Sequence, residues 1–336
     1  VSEQTGGAAA NKPFNYGAFY AKYGTLVILF SILIIAALLS ENFIKPTNLT
    51  NVLRQISVVT VIGFGVTFIL ILGQINIAYD SLIALIGCTS VMIMVSTQNL
   101  LVSVVAGIFM GAVIGLFYGV LVAYLKIPSF IVGLAFNTIA RGIILIVTNG
   151  KAISANLGNF SVIGQGYVWI IPITVIIMFV LLGVSWFILN KTCFGRHVFA
   201  VGGNRSAAIA SGIRADVVIV KAYVLDGVLA GIGSVVFMSR LSSGQPSAGV
   251  GYAFDAITAV VVGGTSLAGG SGGVIGTVIG AAIVGVINNL MNLMNVNSYW
   301  QQVVKGVIIL VAVMIDILTK QNMGGRIARK SVASKF

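Results

Sequence analysis

The chain has 336 residues, of which 58% are apolar and only 8% charged, and its formal net charge is +12. A soluble domain carries roughly 25% charged residues, so this composition excludes a water-exposed globule. Long continuous apolar runs also exclude an outer-membrane barrel, whose strands alternate in short segments.

A polar tail (1–23) precedes an apolar run at 24–40. Glu41-Asn42 follows it without a small-x-small cleavage pattern, so the run reads as a retained first helix. Further runs lie at 51–72, 79–96, 100–124, 128–148, 168–190, 217–239, 255–267, 272–294 and 300–319. Most approach the ~20 residues that a helix needs to cross a bilayer. The fold class is therefore an all-α integral membrane protein with about ten transmembrane helices in a single domain (24–319). The segment 255–267 is the shortest and runs into GGTSLAGGSGG (263–273).

Basic residues orient the spans. With the N-terminus in the cytoplasm, twelve Lys and Arg fall in inner segments, and only Lys45, Arg54, Lys151 and Arg240 in outer ones. That asymmetry follows the positive-inside rule. It places both termini, including the basic tail 320–336, in the cytoplasm of a multi-pass membrane protein. The excess of positive charge does not point to nucleic acid, because no aromatic–basic array accompanies it.

Two stretches resemble each other. In GQINIAYDSLIALIG (73–87) and GQPSAGVGYAFDAITAVVVG (244–263), Gly-Gln follows a long apolar span and an aspartate opens the next. The span count puts one loop inside and the other outside, as in an inverted repeat with broken helices. Asp80 and Asp255 then become pseudo-symmetric, each at a helix start where the dipole favours an acid. A plain N-terminal charge is one reading, and a lining or gating residue at opposite mouths of a path is the other. Asn76 and Asn137 are candidates for the same path. Arg141 and Asp226 lie inside spans, where ionisable groups face a partner or a cavity. They pair with each other or with Asp80, and the pattern does not choose. Asn288, Asn289, Asn292, Gln301 and Gln302 are further polar candidates, although such residues more often bond neighbouring helices.

One polar segment, 191–216, interrupts the apolar chain and holds its single histidine, His197. Gly202-Gly203 gives a flexible entry, Asn204 an N-cap, and Gly212 a left-handed stop. Between them RSAAIA makes a short helix tipped with small residues, which fits either docking into a groove or a loop that only fixes orientation. The chain carries no GxxxxGK[ST] phosphate loop, no nucleophile–base constellation and no metal-ligand cluster. If transport uses ATP, another chain hydrolyses it.

The stretch GRHVFAVGGNRSAAIASGI resembles the cytoplasmic coupling segment of permease subunits of bacterial ABC importers for simple sugars, the ribose/galactose/xylose group. The resemblance continues through residues 244–281 and 288–316, and at lower specificity through GVTFILILG and LKIPSFIVGLAFNTIARGI. It implies the ABC importer permease fold in a bacterial inner membrane, a dimer with a second permease copy, an ABC ATPase below that binds ATP and Mg, and an extracytoplasmic sugar-binding protein above. It also implies that Gly202, Gly203, Asn204, Ala207, Ala208 and Gly212 form the ATPase contact, and that the chain itself holds no cofactor. Two departures stand near the path. Such permeases usually read GGIDLSVGS where this chain has GQINIAYDS, and YELDAIAA where it has YAFDAITA. They turn attention from a plain sugar to a nucleoside, a polyol or a sugar-like signal. An ion-coupled secondary carrier, with Asp80, Asp226 and Arg141 as the relay, is the alternative of another class.

Overall fold

The computed structural model describes residues 16–154, 158–297, 299–311 and 313–314. The terminal tails expected at 1–23 and 320–336 fall largely or wholly outside the described residues. Among the described residues the fold is helical apart from one two-stranded hairpin and one isolated bridge. In chain order come α1 (Tyr16–Leu39), α2 (Pro46–Ile71), α3 (Tyr79–Thr97), α4 (Leu100–Ala123), α5 (Ser129–Thr148) and α6 (Phe160–Gln165). The hairpin β1 (Tyr167–Val168) and β2 (Ile171–Pro172) leads into α7 (Ile173–Lys191), α8 (Cys193–Gly203), α9 (Arg205–Ala210) and α10 (Ala215–Leu241). The remaining elements are α11 (Tyr252–Val262), α12 (Val274–Leu293) and α13 (Tyr299–Val311).

Seven of these helices are long and apolar enough to span a bilayer, and three shorter apolar helices, at Gly24–Leu39, Tyr252–Val262 and Tyr299–Val311, occupy the other expected spans. α2 is buried without a break from Ile56 to Ile71, as a helix apolar on every side should be. α10 crosses α4 at glycines. A Cβ on Gly111 would lie 2.2 Å from the Gly227 carbonyl oxygen, and one on Gly227 2.1 Å from that of Gly111. Small residues at such a crossing let backbones touch where lipid gives no hydrophobic drive. α4, α5 and α7 turn apolar side chains such as Phe109, Ile146 and Phe187 outward, the surface that a bilayer covers.

The span expected at 168–190 starts later, at Ile173, because Tyr167–Pro172 folds back as the hairpin. The span expected at 255–267 is shorter: α11 stops at Val262, and Gly264 follows at φ +93°. Eleven residues rise about 16 Å, roughly half of the ~30 Å hydrocarbon layer.

Candidate functional site

The inverted repeat sets the geometry. α2 ends at Ile71 beside the α8–α9 segment, which defines one end of the bundle, here named the coupling end for the role that the resemblance in sequence implies for it. α7 runs from the hairpin to that segment, so the hairpin marks the opposite end. Residues 74–77 form no regular element and carry the chain back from the coupling end to the start of α3. In the second copy, the loop after α10 returns from the hairpin end to the start of α11, passing an antiparallel bridge between Ile153 and Gly244. The two helix starts meet. Asp80 on α3 accepts hydrogen bonds from the backbone N–H of Gly251 at 3.0 Å and of Ala253 at 2.8 Å, capping α11. From there α3 leads to the hairpin end and α11 to the coupling end.

Asp80 and Asp255 therefore do not sit at opposite mouths. They converge at one junction, because Asp80 caps the helix whose first turn holds Asp255. Arg141 of α5 closes this junction. Its guanidinium donates to the carbonyls of Pro246 at 2.6 Å, Ala248 at 3.2 Å and Asp80 at 2.8 Å. The Lys305 ammonium of α13 lies 2.9 Å from the Asp255 carboxylate, which also accepts from Asn288.

A cavity of about 410 Å³ opens here, lined by Asp80, Phe254, Gln301, Gln302 and Lys305 among others. The wall sets carboxylate, amide and ammonium groups beside the flat apolar face of Phe254. That combination suits a small polyhydroxylated solute, since pockets of this kind pair apolar walls with a few placed polar groups. Asn76 is absent from the lining. It is buried and donates to Asp226 at 3.1 Å, while the Tyr79 hydroxyl donates to the same carboxylate at 2.6 Å. Asn137 stands close by, accepting a hydrogen bond from Ser81. Asp226 and Arg141 do not pair. With Asp226 held by Asn76 and Tyr79, Arg141 by carbonyls and Asp80 by backbone N–H groups, the three make no contiguous relay through their side chains.

The coupling end is built from α8 and α9. Thr192 caps α8 by accepting from the Gly195 N–H at 3.2 Å. Gly202 and Gly203, expected to be a flexible entry, are the last turn of α8. They pack on the end of α2: the Gly270 N–H donates to the Ile71 carbonyl at 2.8 Å, and a Cβ on Gly202 would fall 1.7 Å from that same oxygen. Asn204 is extended and caps α9, accepting from the Ala207 N–H at 2.9 Å. Gly212, at φ +83°, ends the segment as expected. Gly203, Asn204, Ala207 and Gly212 are exposed, whereas Ala208 turns inward and is only 4% exposed. Ile209, which the sequence pattern did not single out, is exposed on the outer face. Arg205 reaches Asp216 at 2.6 Å and ties α9 to the first turn of α10; a pair this exposed contributes about 0–1 kcal/mol.

The cap sets how rigid the outer face is. Asn204→Ala is expected to cost α9 about 1 kcal/mol, roughly a fivefold faster amide exchange at Ala207 and Ala208, with Asn204→Asp keeping the cap. Hydrogen exchange by mass spectrometry checks it, and equal exchange in the two variants would show that the side chain does not hold the turn.

The sequence profile described as branched-chain amino acid transport system / permease component matches residues 48–313. The ribose import permease protein RbsC of Bacillus subtilis is 40% identical over 308 residues, covering 91% of this chain and 95% of that protein. The protein of the same name in Haemophilus influenzae is 38% identical over 307 residues, 90% and 95% of the two chains. The D-allose transport system permease protein AlsC of Escherichia coli is 35% identical over 319 residues, 93% and 96% of the two. No solved structure matches the chain.

Proposed function

Because the chain belongs to the sugar-importer permeases of the ribose/xylose/galactose family, we propose that it is the membrane subunit of an ATP-driven importer for a monosaccharide. An extracytoplasmic binding protein delivers the sugar at the hairpin end. An ABC ATPase, which binds ATP and Mg, grips the α8–α9 segment at the cytoplasmic end, and two copies of the chain enclose the path. The sugar reading draws on the ribose and allose named for the relatives and on the mix of amide, carboxylate, ammonium and aromatic groups around the cavity.

One observation carries the mechanism. The last turn of α8 is wedged against Ile71 and Gly270, and Gly270 lies in the loop that joins α11 to α12. A push on α9 therefore reaches the α11–α12 loop through backbone contacts, and through that loop the end of α11. The other end of α11 is held by Asp80 and carries Asp255, beside the cavity. The ATPase and the binding protein bias opposite ends of one packed element, which is what coupling between distant sites requires. The ion-driven carrier is the weaker reading, since its three candidate relay groups are each occupied separately.

Purification of the chain from native membranes in mild detergent is expected to bring a phosphate-loop ATPase in stoichiometric amount. Ala207→Glu is expected to remove it while the chain stays folded, because Ala207 is exposed. Ala208→Glu is the poorer test, since it forces an acid beneath α9. Transport that persists in the absence of any ATPase partner would falsify the proposal.

A further inference from the structure

The hairpin at Tyr167–Pro172 neither lines the cavity nor forms part of the α8–α9 segment. Its register pairs Val168 with Ile171, leaving Trp169 and Ile170 as the two-residue turn. Such a turn needs positive φ, which Gly and Asn supply at least cost. Trp169 sits there at φ +59°. Every other non-glycine residue at positive φ among the described residues is polar: Gln98, Lys126, Asn149, Ser242 and Asn295. Something other than turn geometry therefore favours an indole at this tip.

The tip is apolar on both faces. Trp169 is 92% exposed and Ile170 74%, and Tyr167, Val168 and Ile171 are exposed as well. The hairpin is continuous with a lipid-facing wall, because α7 begins at the next residue and turns Phe179, Val180, Val184 and Phe187 outward. Nineteen residues of helix rise about 28 Å, close to the ~30 Å hydrocarbon thickness. The tip therefore sits at the level of the lipid headgroups, where Trp and Tyr collect. Arg54 fixes it there. Its guanidinium donates to the Gln165 carbonyl at 2.5 Å and lies 4.6 Å from the centre of the Tyr167 ring, which puts a cation at phosphate height.

We propose that Trp169 and Ile170 are a membrane-interface anchor, inserted among the lipid headgroups of the leaflet opposite the coupling end. The anchor would hold the start of α7 at fixed depth while the α8–α9 end is pushed. The insertion itself needs only the hairpin, Arg54 and α7, so it stands or falls apart from the coupling proposed above and from the identity of the transported solute.

The experiment reads insertion directly. The full chain with Trp186→Phe and Trp300→Phe, so that Trp169 is the single tryptophan, is placed in phosphatidylcholine nanodiscs. Lipids brominated near the headgroup end of the acyl chain are expected to quench its emission roughly twofold, with little quenching by aqueous acrylamide. Quenching by acrylamide without quenching by bromolipid would show a tip in water and overturn the proposal. Quenching by neither would show a tip covered by protein, such as a second copy or the binding protein, and would overturn it equally. If that variant does not fold, a nitroxide on Ile170→Cys in a Cys193→Ser chain reads the same depth. Its relaxation by lipid-soluble oxygen should exceed that by an aqueous nickel complex, and the reverse order overturns the proposal.

Discussion

Gly202→Val is expected to cut transport by about tenfold or more, whereas Gly203→Ala next to it should be close to neutral. The contrast follows from two neighbouring positions on the same helical turn. A Cβ at 202 would stand 1.7 Å from the Ile71 carbonyl oxygen, while one at 203 meets nothing closer than the Gly270 Cα at 4.0 Å. The obstacle at 202 is backbone that is itself hydrogen-bonded to Gly270, so no side-chain rotation relieves it. Overpacking against a core costs about 1–3 kcal/mol and occasionally more. Here α8 relieves the clash by lifting away from α2 and the α11–α12 loop. The face formed by Asn204, Ala207 and Ile209 survives that movement, so the ATPase partner should still bind. Uptake into proteoliposomes is expected to fall by about tenfold or more, the equivalent of at least ~1.4 kcal/mol, with ATP hydrolysis continuing without it. Equal uptake by the two variants would show that the wedge at Ile71 does not carry the coupling.

Much of this arrangement was readable in the residues. The apolar runs mark the seven helices long enough to cross a bilayer and the three shorter apolar ones, because burial in lipid or protein demands the same runs. The paired Gly-Gln and aspartate signals placed the inverted repeat. What stayed hidden has a common cause. The carboxylate of Asp80 is held by the backbone N–H groups of Gly251 and Ala253, and Arg141 by three carbonyls. Backbone partners leave no side-chain pattern to read, so the sequence offers opposite mouths as one reading of two acids that share one junction. The hairpin was absorbed into the α7 span because Tyr-Val-Trp-Ile-Ile is as apolar as the helix that follows. Asn76 was placed on the path because it stands for an acid in the resembling sequences. Buried against Asp226, an amide donates a hydrogen bond where a second carboxylate would repel, so the departure at this position answers to a neighbour 150 residues away.

Lys305 shows the remaining gap most clearly, and it carries the second large effect. It is a lysine in an apolar run, and its partner lies fifty residues earlier on α11. Lys305→Met leaves Asp255, whose side chain is 7% exposed, without its cation. Removing one member of a buried pair costs about 3–5 kcal/mol, whereas replacing both with neutral groups is often nearly free. Because Lys305 itself borders the cavity and is 25% exposed, the loss should fall at the lower end of that range. Thermal unfolding in detergent is expected to show a clear drop for Lys305→Met and recovery of most of it in Lys305→Met/Asp255→Asn. Uptake separates structure from transport. If the pair only holds α13 to α11, the double variant regains uptake together with stability. If its charges also meet the solute in the cavity, the double variant is stable and uptake stays low. A single variant as stable as the parent would mean that Asp255 finds another partner and that the pair does not fix α13 beside the path.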